Sequence, residues 1–211
     1  VQGRLRGLGY MLERLYRLGL FFSMAVAGAC FFFAHPLGEL IYSEPAAGQY
    51  IRLLAPLVPI MYMDTLVDGM LKGVGEYRAN MRYNIIDAAT GLLLVWLLLP
   101  RYGVAGYLFS ISATELLNFA LSAARLTRVT VFRLQPLCWL LTAVAAVGGW
   151  WLLRLIFGRL LSRTGQPLIL LLLVFLYLAC YGAALLLCGA LRREELSWLF
   201  SLLRGEKTPK T

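Results

Sequence analysis

The stretch that decides the fold is APLVPIMYMDTLVDGMLKGVG, residues 55–75. From residue 53 to residue 71 the chain is apolar except for Asp64 and Asp68. A bilayer core about 30 Å thick is crossed by roughly 20 helical residues that each rise about 1.5 Å, so the stretch predicts a transmembrane helix. Asp64 would then lie roughly 16 Å below one edge of the span, near the midplane. Carboxylates at this depth usually face a bundle interior or a water-filled cavity.

The composition of the whole chain agrees with a membrane protein. Of 211 residues, 60% are hydrophobic and 15% are charged, and the mean hydropathy is +0.73. Soluble domains carry about 25% charged residues, and disordered chains are far less apolar. These figures exclude both classes and leave an integral membrane protein.

Six apolar stretches are long enough, or nearly so, to cross a membrane. None alternates in the manner of a barrel strand, so we predict an all-α integral membrane protein. The sequence PRYGVAG, residues 100–106, is short and predicts that the third and fourth helices are antiparallel neighbours. The six predicted spans are residues 18–38, 53–71, 83–100, 102–124, 134–153 and 164–191.

The segments that flank the spans are amphipathic. Residues 1–17 place leucines at helical spacing with arginines between them, which predicts a cytoplasmic interfacial helix. Residues 192–211 predict a short amphipathic turn followed by a disordered tail. We therefore divide the chain into these two flanks, four transmembrane helices over 18–128 and a further helix pair over 129–191.

The 20 Lys and Arg residues orient the predicted spans. Five fall on one side of the membrane, namely Arg52, Arg101, Arg154, Arg159 and Arg163, and the other 15 fall on the opposite side. The positive-inside rule makes the basic side cytoplasmic, so we expect a multi-pass protein of the cytoplasmic membrane with both ends of this chain in the cytoplasm. Because the basic residues bracket helix ends and form no single patch, nucleic acid is not expected as a partner.

No motif for enzymatic chemistry is visible. The chain lacks a GxSxG sequence, a phosphate-binding GKS/T loop and HExxH. Its cysteines, Cys30, Cys138, Cys180 and Cys188, fall inside predicted spans without zinc spacing, and its one histidine, His35, lies at a helix end. We expect neither catalysis nor a metal or cofactor, although a membrane-embedded glycosyl- or acyltransferase stays a minor alternative.

Polar side chains concentrate on the second, third and fourth spans. Asp64, Asp68 and Lys72 are spaced i, i+4 and i+8 and share a helix face, and Asp68 and Lys72 could form an interfacial ion pair. Glu115 lies at about the same depth as Asp64, roughly 20 Å into its own span. Such groups either bond helices to one another or line a polar cavity with a proton or cation site. The cavity or ion-coupling candidates are Asp64, Asp68, Asn84, Asp87, Glu115 and Asn118.

Three motifs give the chain a family resemblance. They are LIYSEPAA at 40–47, LKGVG at 71–75 and LLPRYGVAGY at 98–107, followed by ATELLNFALSAARL at 113–126. In this order and spacing they resemble the C-terminal half of the polysaccharide-biosynthesis transporters of the multidrug/oligosaccharidyl-lipid/polysaccharide exporter superfamily. The likeness is strongest to the lipid-linked oligosaccharide flippases, which include sporulation proteins.

The resemblance implies a fold of two six-helix lobes around a central cavity. This chain would supply four helices of the second lobe and a terminal pair, with the first lobe as its partner. The implied activity is to flip a lipid-linked oligosaccharide, such as a cell-wall, peptidoglycan or spore-cortex precursor, across the membrane by alternating access. The implied partners are that substrate, membrane lipids and a proton or sodium ion, which Asn84 and Asp87 could help to bind. The anionic head group calls for bases, and the candidates near the cytoplasmic mouth are Lys72, Arg78 and Arg82.

Two other functions stay open. Acids at the midplane without bases at the midplane are natural for a cation-coupled multidrug antiporter of the same superfamily. A purely structural membrane scaffold is disfavoured because burying Asp64 and Glu115 costs at least about 2.5 to 3.5 kcal/mol each at a helix centre.

Overall fold

The computed structural model describes residues 2–132, 135–161 and 167–187, and all its regular elements in those ranges are helical. The predicted all-α membrane class is confirmed, since five helices are long and apolar enough to cross a bilayer. One of them folds back on itself at Gly103, so the described ranges contain six helical segments of about the length that crosses a bilayer. The helices are α1 (Gln2–Phe32), α2 (Ala34–Tyr42), α3 (Pro45–Leu54), α4 (Val58–Gly73), α5 (Tyr77–Val129), α6 (Pro136–Leu161) and α7 (Pro167–Leu187).

Helix α1 joins two segments that the sequence separates. The interfacial helix predicted for 1–17 and most of the first span are one continuous helix, because no proline interrupts residues 2–32. The helix ends at Phe32, six residues before the predicted limit. Pro36 has no N–H to donate to the Phe32 carbonyl, so the chain breaks at Phe33 and restarts as α2 with Pro36 in its first turn.

The second predicted span is also interrupted by prolines. Pro56 and Pro59 cannot donate to the carbonyls of Arg52 and Ala55, and a short 3-10 turn, Ala55–Leu57, replaces regular α-helix between α3 and α4. Helix α4 ends where Gly75 adopts a φ of 89° and the Glu76 N–H donates to the Leu71 carbonyl at 2.9 Å. Glycine adopts this left-handed conformation without strain, which explains why the LKGVG sequence ends in a glycine.

Helix α5 is a hairpin of two arms, residues 77–102 and 104–129. Gly103 has φ 57° and ψ −136°, a conformation outside the helical region, and the chain reverses there. A Cβ added at Gly106 would lie 2.5 Å from the Leu98 carbonyl oxygen, so only glycine allows the arms this close. The predicted antiparallel pairing of the third and fourth spans is confirmed.

The helices group into two compact units, one up to Pro136 and one from Leu137 onward. In the first, α1 packs antiparallel to α4 and meets it at Gly19, whose added Cβ would lie 2.6 Å from Leu66 Cδ1. Tyr16, Met63 and Leu126 are almost fully buried in this unit.

The second unit contains α7 and all of α6 except its first residue, and both helices begin at a proline, as expected for a first helical position. A Cβ at Gly149 would lie 2.9 Å from the Tyr181 backbone, and the Tyr177 hydroxyl donates to the Ala146 carbonyl at 3.4 Å. Cys30 and Cys180 are free thiols. Cys188 and the flank predicted for 192–211 lie outside the described residues.

Candidate functional site: a polar ladder between helices α4 and α5

Two carboxylates of α4 are hydrogen-bonded to the second arm of α5. Asn118 Nδ2 donates to Asp64 Oδ2 at 2.9 Å, and Ser122 Oγ donates to Asp68 Oδ1 at 2.9 Å. Each pair is separated by 54 positions in the sequence, so α4 and this arm run parallel in register. All four side chains are buried. We call this set, together with its extensions below, the polar ladder.

The first arm of α5 extends the ladder through two asparagines. Asn84 Nδ2 donates to Asn80 Oδ1 at 3.1 Å, one helical turn away, and Asn118 Nδ2 lies 3.5 Å from Asn84 Oδ1. Asn118 therefore stands between Asp64 on α4 and Asn84 on the facing arm. The polar groups of three helical segments converge on this amide.

The polar ladder ends in an ion pair between Arg125 and Glu76. Arg125 donates from Nε and Nη2 to Glu76 Oε2, at 3.2 and 2.9 Å. Glu76 directly precedes α5, in the turn that Gly75 makes possible. Asn118, Ser122 and Arg125 follow one another at i, i+4 and i+7 on the same face, so a single helix stripe supplies all three rungs.

Four acids of this region interact electrostatically. Asp64 interacts with Asp68, Asp87 and Glu115, Asp87 with Asp68, and Glu115 with Asp87. Asp64 Oδ1 and Asp87 Oδ1 are buried and accept no hydrogen bond from the described part of the chain. Asn118 and Ser122 donate to two of these four carboxylates and so offset part of the repulsion between like charges.

The three basic candidates lie away from these acids. Lys72, Arg78 and Arg82 are all exposed, at the end of the first unit where α4 ends and α5 begins. The ion pair considered for Asp68 and Lys72 is absent, since within residues 2–132 Asp68 is bonded to Ser122 and Lys72 forms no salt bridge. Lys72 extends outward because the polar ladder already satisfies Asp68.

Among the described residues, no group of three His, Cys, Asp or Glu side chains is close enough to hold a metal ion. His35 lies on α2, at the opposite end of the first unit from Lys72. A cation other than a proton would therefore need amide, hydroxyl or backbone oxygens beside the carboxylates.

The ladder contains three residues that were not among the predicted site residues: Ser122, Arg125 and Glu76. Ser122 and Arg125 share the face of Asn118 in the sequence, but nothing there pairs them with Asp68 and Glu76. Glu76 looks like an ordinary loop acid until the Gly75 turn brings it to Arg125. The available signal was the i, i+4, i+7 stripe of polar residues on an otherwise apolar helix.

Comparison with known proteins agrees with the motifs. Residues 2–97 match the MatE family. Over 130 residues the chain is 28% identical to stage V sporulation protein B of Bacillus subtilis (strain 168). That match covers 61% of this chain and 25% of the relative, so it spans about a quarter of the relative's length. No solved structure matches the chain significantly. The resemblance to the exporter superfamily is confirmed.

Proposed function

We propose that this chain, a relative of the MatE exporters and of a stage V sporulation protein, forms one side of the translocation cavity of a membrane flippase. The cargo is a lipid-linked oligosaccharide or polysaccharide precursor of the cell wall or spore cortex. Transport proceeds by alternating access against a second lobe in the cytoplasmic membrane. The observation that carries the proposal is Asp64, a buried carboxylate bonded by Asn118 on one oxygen and unpartnered within the described chain on the other.

Asp64 is the coupling residue in this proposal. Asp64 lies eight residues from Lys72, about 12 Å along the helix, and therefore well inside the bilayer. A proton or sodium ion bound at the free oxygen neutralises the Asp64 carboxylate. Neutralisation removes the repulsion from the neighbouring acids, Asp68, Asp87 and Glu115, and changes the strength of the hydrogen bond from Asn118. Binding that differs between two conformations of the lobe shifts their populations, which is what coupled transport requires.

Asn84 and Asp87 are the second part of the coupling site. Asn84 contributes an oxygen beside Asn118, and Asp87 contributes a buried oxygen without a partner in the described chain. Both belong to the third predicted span, where the resemblance implies a cation site. In the same proposal Lys72, Arg78 and Arg82, which are exposed, attract the anionic head group at the mouth of the cavity.

One observation favours a second candidate function. Asp64 and Asp68 are buried between α4 and α5, whereas the three bases are exposed at helix ends, so a cavity bounded by these acids would be acidic. An acidic cavity suits an organic cation, as in a cation-coupled multidrug antiporter.

The test measures transport by the complete natural protein in proteoliposomes. Asp64→Asn and Glu115→Gln are compared with Glu39→Gln, which removes an exposed acid of α2 away from the ladder. A fluorescent lipid-linked oligosaccharide and an organic cation serve as alternative cargoes, each with a proton or a sodium gradient. We expect Asp64→Asn to abolish gradient-driven flipping of the lipid, and Glu39→Gln to leave it unchanged.

Two results would overturn this assignment. Full flipping in both Asp64→Asn and Glu115→Gln would remove the coupling role of the acids. Transport of the organic cation without transport of the lipid would replace the flippase by the antiporter.

A further inference from the structure

A groove that the proposed transport does not use lies at the end of the first unit opposite Lys72. It has a volume of about 450 Å³ and is lined by Phe31 of α1, His35 of α2, the α3 residues Gln49, Arg52 and Leu53, and Pro56. Three of its side chains carry N–H groups and none of its described lining residues is an acid, so the groove is a basic, donor-rich site.

Arg52 is held with its donors free. Its guanidinium carbon lies 4.9 Å from the centre of the Phe31 ring. Within the described ranges it forms no salt bridge. Stacking occupies one face of the guanidinium plane but leaves the N–H groups at its edge available, in the fork that matches a phosphate. Gln49 lies one turn earlier on the same face of α3.

His35 reaches the groove because α2 and α3 cross closely. A Cβ at Gly48 would lie 2.8 Å from His35 Cα and 3.1 Å from His35 Nδ1. Gly48 is thus the residue that lets the imidazole lie against α3, beside Gln49 and Arg52. Donors from two helices converge in one groove through this contact.

The depth of the groove matches the head-group layer of a bilayer. Arg52 and Lys72 are 20 positions apart, which corresponds to about 30 Å of helix, the thickness of the hydrocarbon core. With Lys72 at one boundary, Arg52 lies at the other. Phe31, Leu53 and Pro56 add an apolar wall to the groove, which a lipid's glycerol and first methylene groups would cover and a free phosphate ion would leave in water.

We propose that this groove binds the phosphodiester head group of an anionic membrane phospholipid. Arg52 and Gln49 donate to the phosphate oxygens, His35 donates from the second helix, and Phe31 and Leu53 contact the adjoining glycerol and acyl carbons. The lipid would join α1, α2 and α3 at this end of the first unit.

The test measures retention of phosphatidylglycerol by the complete natural protein, using native mass spectrometry after lipid titration. Arg52→Gln is compared with Arg101→Gln, an exposed arginine at the same end in the bend of α5. Loss of a charge-assisted contact should weaken binding about tenfold in Arg52→Gln. Arg52→Lys should be intermediate because it keeps the charge without the fork, and Arg101→Gln should match the wild type.

Inorganic phosphate serves as the competing probe. At the same concentration as the lipid it should not displace phosphatidylglycerol, because it cannot use the apolar wall. Equal displacement would assign the groove to free phosphate and overturn the lipid. The proposed phospholipid site would be ruled out if Arg52→Gln retained as much lipid as the wild type, or if Arg52→Gln and Arg101→Gln lost equal amounts. The melting temperature of each variant shows that its fold is retained.

Discussion

At the scale of single residues, the hydrogen bond between Asp64 and Asn118 should contribute both to the stability of the fold and to the proposed ion coupling. Asn118→Ala removes the donor and leaves a buried carboxylate oxygen unsatisfied, which should cost about 1 to 3 kcal/mol of stability. Asp64→Asn and Asn118→Asp each break the pair as single variants, whereas the double variant restores an amide facing a carboxylate and should be destabilised by less than their sum. Thermal unfolding in detergent measures both, and a double variant no better than the sum of the single ones would contradict the pairing.

The ion pair between Glu76 and Arg125 should matter much less to stability. Its side chains are 37% exposed for Arg125 and 27% exposed for Glu76, so solvent screens the attraction. A double-mutant cycle with Glu76→Gln and Arg125→Gln should give a coupling of about 0 to 1 kcal/mol. A coupling of several kcal/mol would mean that the pair is shielded from water in the complete protein.

These pairings show where sequence reasoning stops. Asp64 and Glu115 could be identified as charged residues too costly to bury without a reason, because their depth within a span can be estimated from the sequence. Sequence reasoning could not pair Asp64 with Asn118 across 54 positions, because the rotation of α4 against α5 decides which faces meet. It also treated Lys72 as a partner for Asp68, whereas tertiary contact gave that role to Ser122.

At the scale of elements, the apolar runs predicted that the helices exist, and the prolines decided where they end. The interfacial segment and the first span became one helix because nothing between residues 2 and 32 breaks it. Pro36, Pro56 and Pro59 then set the break before α2 and the 3-10 turn before α4. Apolar composition alone cannot show such breaks, since the segments on both sides are equally hydrophobic.

Glycines provide a test at the same scale. Gly103→Ala puts a side chain on a residue with φ 57° and ψ −136°, and this backbone strain should cost about 1 to 3 kcal/mol. The matched control is Gly148→Ala in α6, where an added Cβ meets nothing within 4 Å. Because alanine favours helix, the control should be neutral or more stable by about 0.5 to 1 kcal/mol. Equal melting temperatures for the two variants would contradict the reversal at Gly103.

At the scale of the whole molecule, the exposed basic residues of the first unit are divided between its two ends. Lys72, Arg78 and Arg82 lie at one end of that unit, and Arg52 and Arg101 lie at the other. The positive-inside rule then predicts that the end with Lys72 is cytoplasmic. In this orientation the bases of the proposed cavity mouth face the cytoplasm, and the proposed phospholipid groove lies at the outer leaflet.

Cysteine labelling in intact cells tests the orientation. In the complete natural protein with all its cysteines replaced by Ala, among them Cys30, Cys138, Cys180 and Cys188, a single cysteine is introduced as Glu39→Cys or Arg78→Cys, both at exposed positions. A membrane-impermeant maleimide should label position 39 in intact cells and position 78 only after the membrane is opened. The reverse pattern would invert the molecule and move the groove of Arg52 to the cytoplasmic leaflet. Labelling of both positions in intact cells would mean that residues 39 and 78 are not separated by a bilayer, which would contradict the transmembrane fold itself.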